Sequence, residues 1–396
     1  MRCTRMIDED IIWVGADDRR ATLFEAVYPV PRGMSYNSYL IIDEKTTLVD
    51  TVDRAVTDVF LENIEAALDG RDLDYLVIQH MEPDHSATLF DVLLRYPGCT
   101  VVCNSRTYAM IAAFKDKGVT AHIVKDGDTL ALGKHRLNFI FAPMVHWPEV
   151  MVSFDLTSGT LFSADAFGSF GALGGAIFAD EVDFERYHLD EARRYYANII
   201  GKYGTQVKSL MSKLSMLDIK MLCPLHGYVW RANIGYYVNK YLLWSAYEPE
   251  ESGVVIVYAS VYGNTENVAN ALAAKLYELG ITASLYDVSV TDASHILAES
   301  FRCSHLVFAS VTYNACAFVK MENLLNDVVC HGLCNRRVAL IENGSWSPSA
   351  ARRMREILSQ CRGFEFICED ISIMSAMHTD PDGKIDRLAQ AIASTI

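Results

Sequence analysis

The sequence lacks the cysteine pattern of a small metal-binding or redox module. Its 10 cysteines never occur as Cys-x-x-Cys, and the closest pairs are Cys99/Cys103 and Cys330/Cys334. A zinc or rubredoxin knuckle needs two closely spaced pairs, so neither is predicted. We expect reduced thiols that pack as small apolar side chains, and no rubredoxin module within these 396 residues.

Long apolar runs and positive charge are lacking as well. No stretch approaches the roughly 20 apolar residues of a membrane-spanning helix. The N-terminal segment MRCTRMIDEDIIW has no long apolar core of the signal-peptide kind. The formal net charge of −15 argues against a basic face for nucleic acid. We therefore expect a cytoplasmic protein that binds neither membranes nor nucleic acid.

A short polar linker divides the chain. The segment EPEESG, residues 248–253, contains proline and glycine and stands between an aromatic helical end and a new apolar strand. We predict two domains, residues 1–250 and 251–396, each of an ordinary domain size.

Strands and helices alternate in the second domain, which predicts a doubly wound parallel sheet of the α/β class. Predicted strands are 253–259, 283–287, 305–310, 337–342 and 364–367, and predicted helices are 266–280, 319–330, 350–360 and 383–396.

Short strands dominate the first domain, which suggests two sheets packed face to face with helices outside. The helices are expected at 56–68 and 86–96, with a long one at 184–215.

The stretch SVYGNT, residues 260–265, follows the first strand of the second domain and precedes a helix. Hydroxyl and amide donors, a glycine and a free helix N-terminus together form an anion site. The nucleotide motifs Gly-Lys-Ser/Thr and Gly-x-Gly-x-x-Gly are both missing. The alternative is a capped helix without a ligand.

Two later strand ends favour a ligand, because ligands of open parallel sheets bind at the carboxyl ends of the strands. The segments VTYN and SWS add aromatic and amide groups, which suit a flat ring with a phosphate tail. These residues resemble flavodoxin and its FMN site, although Pro348 stands where that family has glycine. The resemblance implies FMN contacts from Ser260, Tyr262, Gly263, Asn264, Thr265, Val311, Thr312, Tyr313, Asn314, Ser345, Trp346 and Ser347.

The first domain concentrates metal-ligand side chains after one strand. The stretch QHMEPDH contains His80, Glu82, Asp84 and His85, and later strand ends add His146, Asp165 and His226. Any one of the later three alone is more often a loop or core residue. Together and in this order they resemble the metallo-β-lactamase superfamily, whose motif His-x-His-x-Asp-His binds two metals.

Glu82 is the departure from that motif, since a histidine is usual there. Imidazole suits zinc, whereas added carboxylate favours iron in its higher oxidation state. A non-haem diiron centre bridged by Asp165 is therefore expected. Two alternatives stay open: a zinc-dependent hydrolase with an accessory flavodoxin domain, and an FMN electron-transfer protein with a structural metal domain.

Both domains together resemble the flavodiiron proteins, also called A-type flavoproteins, over nearly the whole chain. The resemblance implies an N-terminal αββα metallo-β-lactamase-like sandwich and a C-terminal flavodoxin-like domain. It implies that His80, Glu82, His146 and Asp165 hold one iron, and that Asp84, His85, Asp165 and His226 hold the other. In some members the histidine matching His85 is turned away and water replaces it, so its role stays open. No catalytic residue beyond these ligands is expected.

The resemblance also implies an oxidoreductase that reduces O2 to water, NO to N2O, or both, with electrons passing from FMN to two irons. The electron donor is expected to be rubredoxin, with reduced F420 as the alternative. A head-to-tail homodimer or a dimer of dimers would bring the FMN of one chain beside the irons of the other. Tyr195 and Tyr196 either approach the irons or pack in the core, and packing is favoured.

Overall fold

A computed structural model describes residues 3–114, 118–377, 380 and 383–396. The chain divides into two compact units. The first comprises Met1–Tyr196 and Thr205–Leu242, and the second comprises Ala197–Gly204 and Leu243–Ile396. The domain boundary at residue 250 stays a prediction.

Short strands dominate the first unit, because most of its apolar side chains come in runs of two to five residues between turns. Its strands are β1 (Arg5–Met6), β2 (Ile11–Trp13), β3 (Ala16–Asp18), β4 (Leu23–Phe24), β5 (Tyr28–Pro29), β6 (Met34–Tyr36), β7 (Tyr39–Ile41), β8 (Thr47–Val49), β9 (Tyr75–Val77), β10 (Thr100–Asn104), β11 (Ala121–Val124), β12 (Thr129–Ala131), β13 (Arg136–Phe141), β14 (Met151–Asp155), β15 (Thr160–Phe162) and β16 (Met221–Cys223).

These strands form two main sheets. One has the order β1-β2-β7-β8-β9-β10-β11 and becomes parallel from β8 onward. The other has the order β12-β13-β14-β15-β16 and is antiparallel except for the β15/β16 pair. The rings of Tyr39 and Phe162, one from each sheet, lie 5.4 Å apart, so the inner faces pack against each other. Short ribbons pair β3 with β6 and β4 with β5.

Helices lie in each connection between parallel strands of this unit, as parallel pairing requires, and one more helix follows the last strand. They are α1 (Thr57–Leu68), α2 (Pro83–Ser86), α3 (Leu89–Arg95), α4 (Ser105–Phe114), α5 (Phe184–Tyr187), α6 (Leu189–Tyr195), α7 (Gly204–Leu214) and α8 (Ile234–Ala246). None of the helices in the described ranges combines the length and apolarity that crossing a bilayer requires.

The prediction of one long helix over 184–215 is wrong. The chain breaks at His188 between α5 and α6, then passes through a π-helical turn at Tyr196–Ile200 and a 3-10 turn at Gly201–Tyr203 before α7. Glycine has a low helix propensity, and at Gly204 a Cβ atom would lie 2.6 Å from a backbone oxygen. The glycine is therefore needed for close packing, and the regular helix is lost nearby.

The second unit is a doubly wound parallel sheet, as predicted. Its order is β18-β17-β19-β20-β21, and β22 also pairs with β20. Its strands are β17 (Glu251–Ala259), β18 (Ala283–Asp287), β19 (Cys303–Val311), β20 (Arg337–Gly344), β21 (Glu365–Phe366) and β22 (Ile371–Met374), and its helices are α9 (Asn264–Glu278), α10 (Ala293–Arg302), α11 (Val319–Cys330), α12 (Ala350–Leu358) and α13 (Lys384–Ala393).

Helix α10 and strand β22 were not predicted. The crossover from β18 to β19 needs a connecting helix, and α10 supplies it with a face of buried side chains that includes Ile296, Leu297 and Phe301. The central strands β17 and β19 are buried on both faces, which explains the continuous apolar run VVIV in β17.

Candidate functional site

All seven predicted metal ligands meet at one place in the first unit. Residues 80–85 follow β9, and the other three follow the ends of β13, β15 and β16. Their ligand atoms form two groups, each within 4.8 Å: His80, Glu82, His146 and Asp165 in the first, and Asp84, His85 and His226 in the second.

The first group surrounds a point between two imidazoles and two carboxylates. Oε2 of Glu82 lies 3.2 Å from Nε2 of His80 and 3.0 Å from Nε2 of His146. Oδ2 of Asp165 lies 3.3 Å from Nε2 of His80 and 3.2 Å from Nε2 of His146. Each imidazole thus directs the same ring nitrogen at both acids.

The second group has the same construction. Oδ2 of Asp84 lies 3.2 Å from Nε2 of His85 and 3.1 Å from Nε2 of His226. The two Nε2 atoms are themselves 3.0 Å apart. The remaining oxygen of Asp165, Oδ1, lies 3.1 Å from Nε2 of His85. One oxygen of Asp165 therefore faces each group.

These distances fit bound metal ions. Two ligand atoms about 2.1 Å from one ion and at right angles to each other are about 3 Å apart. Neither oxygen of Asp84, nor Oδ1 of Asp165, accepts a hydrogen bond of suitable geometry from the described residues, although all three atoms are buried and imidazole nitrogens lie close to two of them. A buried carboxylate oxygen without a donor needs a cation beside it. The set of donors therefore fits two metals that share Asp165.

Charge in the cluster favours cations. Burial lowers the pKa of His146, but Asp165 and Glu82 raise it to about 9. Burial raises the pKa of Asp165, but His85 and His80 bring it well below its usual range. The carboxylates thus stay ionised and attract positive charge, which a metal ion supplies.

Hydrogen bonds from the opposite ring nitrogens orient two of the histidines. Nδ1 of His80 donates to Oε1 of Glu149 at 2.8 Å, and Nδ1 of His226 donates to the carbonyl of Ser35 at 2.7 Å. The buried carboxylate of Asp50 accepts the amide of Gln79 at 2.8 Å. The sequence analysis missed Glu149 and Asp50. The only signal for Glu149 was an acid three residues after His146 in HWPE.

Backbone geometry also shapes the cluster. Ala164, just before Asp165, has a positive φ of 50°, an uncommon conformation that often occurs at functional sites. Gly227, just after His226, has φ +77°, and a Cβ atom there would lie 2.2 Å from Oγ of Ser169. Glycine is therefore required next to this histidine.

Tyr195 packs in the core and also lies beside the cluster. Its buried ring is 5.2 Å from Phe170 and 5.5 Å from His226, centroid to centroid. Tyr196 packs at 5.0 Å against the ring of Tyr241. The packing prediction describes Tyr196 well, whereas Tyr195 also contacts a predicted ligand.

The second unit contains a cavity of about 890 Å³ at the carboxyl ends of β17, β19 and β20. Every predicted FMN contact except Gly263 lines it: Ser260, Tyr262, Asn264, Thr265, Val311, Thr312, Tyr313, Asn314, Ser345, Trp346 and Ser347. Lining residues that the sequence analysis missed include Glu342, Arg352 and Asp370. Gly263 instead precedes α9 with φ +84°, which favours glycine.

One end of this cavity fits a phosphate. Oγ of Ser260 is buried and has no hydrogen-bond partner in the described part of the chain. Within the same part, no side chain caps the N-terminus of α9. Unpaired N–H groups and the helix dipole attract an anion there.

Aromatic rings stand at the rim. Tyr262 is 92% exposed, Trp346 is 88% exposed and Tyr313 is 48% exposed, so flat faces are available for an aromatic ligand. The loop with Pro348 is held by Thr312, whose Oγ1 accepts the amide of Ser349 at 2.9 Å. The departure at Pro348 therefore leaves an ordered loop at the cavity.

Comparisons with known proteins agree with this geometry. Residues 34–227 match the family described as ODP family beta lactamase, and residues 256–392 match the flavodoxin family. The anaerobic nitric oxide reductase flavorubredoxin of Klebsiella pneumoniae is 32% identical over 367 residues, which cover 91% of this chain and 75% of that protein. The flavorubredoxin of Aeromonas hydrophila is 32% identical over 95% of this chain and 76% of that protein.

Solved structures are similar over nearly the entire chain. The rubredoxin oxygen:oxidoreductase of Desulfovibrio gigas matches with a TM-score of 0.93 and 28% identity, over 99% of this chain and 98% of that one. The flavodiiron protein of Giardia intestinalis matches with a TM-score of 0.92 and 26% identity, over 99% and 95%.

Proposed function

The chain belongs to the flavodiiron and flavorubredoxin family, and on that premise we propose that it reduces nitric oxide to N2O with FMN and two irons. The observation that carries the proposal is the pair of histidine groups that share Asp165, with one carboxylate oxygen directed at each. Such a centre can hold two ions side by side, as a reaction that joins two NO molecules requires.

His80, Glu82, His146 and Asp165 would hold one iron, and Asp84, His85, Asp165 and His226 would hold the other. When bound, the irons would supply a binding place for a diatomic gas, and FMN would supply the electrons. The protein shields this site from solvent, because the imidazoles of His80, His85 and His226 are fully buried. Carboxylates balance the charge of the ions, which suits iron better than a site of imidazoles alone.

The flavin would bind in the cavity of the second unit. Ser260, Asn264 and Thr265 would hold its phosphate at the N-terminus of α9. The rings of Tyr313 and Trp346 would cover the flavin ring.

Nitric oxide is the first candidate substrate, because relatives named nitric oxide reductase align with over nine-tenths of this chain. Molecular oxygen is the second candidate, because the D. gigas protein, whose structure matches with a TM-score of 0.93, is named an oxygen:oxidoreductase. Each of the two reductions consumes as many protons as electrons and releases water. The same ligands can therefore serve either reaction.

We propose a rubredoxin-type protein as the electron donor, with reduced F420 as the alternative. We retain from the sequence analysis a head-to-tail homodimer or a dimer of dimers, and a cytoplasmic location. The name of the similar D. gigas protein, rubredoxin oxygen:oxidoreductase, favours rubredoxin as the donor.

Anaerobic purification followed by metal analysis tests the proposal. We expect two irons and one FMN per chain, and consumption of NO with formation of N2O when reduced rubredoxin is added. A parallel assay with O2 ranks the two gases. As a control, protein reloaded with zinc should keep its FMN and lose both activities. Native protein that contains zinc without iron, or that binds no flavin, would contradict the proposal and favour a zinc hydrolase.

A further inference from the structure

Glu149 lies outside the predicted ligand set and contacts it through a buried side chain. We propose that Glu149 is a positioning residue that makes the two metal positions unequal, so that the ion held by His80, Glu82 and His146 binds more tightly. This inference rests on the proposed metal centre and deepens it.

The geometry is a carboxylate–histidine pair. The side chain of Glu149 is fully buried, and its Oε1 accepts Nδ1–H of His80 at 2.8 Å. The same oxygen accepts the backbone amide of Met81 at 2.9 Å. Because Nδ1 of His80 carries the proton that it donates to Glu149, the neutral ring is held in one tautomer. In that tautomer Nε2 has a free lone pair directed at the first group.

Glu149 also joins the two turns that supply the first group. It lies on the turn of His146, and its side chain binds the turn of His80 and Met81. Its own carbonyl accepts Nδ2 of Asn104 at 2.6 Å, which anchors it to the end of β10. The residue therefore sets the separation of the two imidazoles.

Within the described part of the chain, the second group has no equivalent support. Nδ1 of His226 donates to a neutral carbonyl, that of Ser35. Nδ1 of His85 has no hydrogen-bond partner among the residues described. Among these three rings, and within the described residues, only that of His80 donates its Nδ1–H to a charged acceptor. A charged acceptor makes an imidazole a better electron donor to a metal ion. The first position should hold a metal ion more tightly and stabilise its oxidised form.

The test compares Glu149→Gln with the wild type in anaerobic titrations with ferrous ion alone. Glutamine keeps the size and an acceptor oxygen but removes the charge. We expect the ion held by His80, Glu82 and His146 to bind about 10- to 100-fold more weakly, as is typical for the loss of such a partner. The affinity for the other ion should be almost unchanged. The midpoint potential of one iron should rise while that of the second stays the same.

Asp155→Asn is the matched control. Oδ2 of Asp155 accepts Nδ1–H of His135 at 2.7 Å, so it forms a similar buried pair in the same unit, and neither residue is a predicted ligand. This variant should lose stability and keep both metal affinities and both potentials. A second measurement needs no variant. In zinc-loaded wild-type protein with 15N-labelled histidine, the Nδ1 proton of His80 should resonate furthest downfield among the ligand histidines.

Unchanged affinities and potentials in Glu149→Gln, or an equal loss at both positions, would overturn the inference. So would an Nδ1 proton of His80 that resonates like that of His226. A wild type that fails to bind two irons would instead contradict the proposed function, so the two failures are distinguishable.

Discussion

Among the described carboxylates, only Asp165 lies within ion-pair distance of histidines in both groups, with Oδ2 on one side and Oδ1 on the other. Replacing it with alanine removes a negative charge and a shared ligand from both positions. We expect Asp165→Ala to lose most of its iron and to lower turnover by at least about 100-fold, because a metal stabilises charge by several kcal/mol. Iron per chain and the rate of NO consumption measure this.

FMN content is the control for Asp165→Ala, since Asp165 lies in the first unit and the flavin cavity in the second. The visible flavin band should keep its intensity. Loss of flavin together with iron would show that the two sites do not form independently.

The buried pair of His135 and Asp155 predicts a pH dependence of stability. Asp155 raises the pKa of His135, although burial opposes this; Asp10 and Asp43 also lie close and act in the same direction. Burial raises the pKa of Asp155, but His135 and Ser158 bring it down to about 2.

The signs of these two shifts define a window. The contribution of His135 is complete below its unfolded pKa of about 6.5 and is lost as the pH rises through its higher folded value. The contribution of Asp155 is complete above about pH 4 and is lost as the pH falls towards 2. Asp155→Asn should therefore lower the melting temperature most between about pH 4 and pH 6.5, where the lost bond is worth about 2 kcal/mol. A constant difference from pH 5 to pH 9 in melting curves would contradict this.

Single residues differed in how well the sequence predicted them. The spacing in HMEPDH, together with the resemblance to the metallo-β-lactamase superfamily, predicted seven side chains that form two neighbouring groups in the structure. Glu149 could not be predicted, because an acid in a Pro-containing turn is usually exposed. Only the approach of the His80 turn, almost 70 residues away in sequence, makes it buried and paired.

At the scale of elements, the turn between β17 and α9 presents the hydroxyl of Ser260 to the flavin cavity. Ser260→Ala removes a buried oxygen that has no partner in the described part of the chain. The apoprotein should melt at an equal or higher temperature, because an unsatisfied polar group has been removed. FMN should bind about 10- to 100-fold more weakly, because a hydrogen bond to a charged phosphate is lost. Titration of apoprotein by flavin fluorescence measures the affinity.

Ser394→Ala, at the C-terminal end of α13, is the control for the loss of a serine hydroxyl as such. It should leave FMN affinity unchanged. A destabilised Ser260→Ala apoprotein with normal FMN affinity would mean that the hydroxyl has a structural role instead.

Arg336 connects the ends of several elements in the second unit. Its guanidinium is buried, and burial lowers its pKa to about 10, so it remains charged at neutral pH. It donates to the backbone carbonyls of Tyr247, Ser300, Phe301, Cys334 and Asn335. Arg336→Met removes the charged donor from these carbonyls and should lower the free energy of unfolding by about 2–4 kcal/mol.

Unfolding by denaturant, monitored through the release of flavin, measures the effect of Arg336→Met. Arg353→Met is the control, because the side chain of Arg353 is 40% exposed and pairs with Glu322 in the same unit. Exposed ion pairs contribute little to stability. Equal loss in both variants would mean that burial of Arg336 adds nothing.

Elements were predicted well where periodicity is strong and poorly where tertiary packing decides. The parallel strands of the second unit stand out as apolar runs, and four of them match their predicted positions closely. Helix α10 is only ten residues long and ends at Arg302, and its pattern alone did not separate it from a loop. The second interruption of the 184–215 helix, at 196–203, lies next to the close approach at Gly204, which no local pattern encodes.

At the scale of the whole molecule, the proposed head-to-tail dimer makes a prediction that a single chain cannot fulfil. If the FMN of one chain feeds the irons of its partner, two inactive variants can complement each other. Asp165→Ala keeps its flavin but loses its irons. Asn264→Asp should keep its irons. The new carboxylate is favourable at the N-terminus of α9 but repels the flavin phosphate.

Each variant alone should be inactive in NO reduction. After the two are mixed, dissociated and reassociated, half of the dimers are mixed, and each mixed dimer has one working pair of FMN and irons. We therefore expect about a quarter of the wild-type activity per chain. Co-purification with two different affinity tags isolates the mixed dimer, whose activity should be about half that of the wild type. An inactive mixed dimer that contains FMN and iron in the expected amounts would mean that electrons pass within one chain, and would overturn the head-to-tail arrangement.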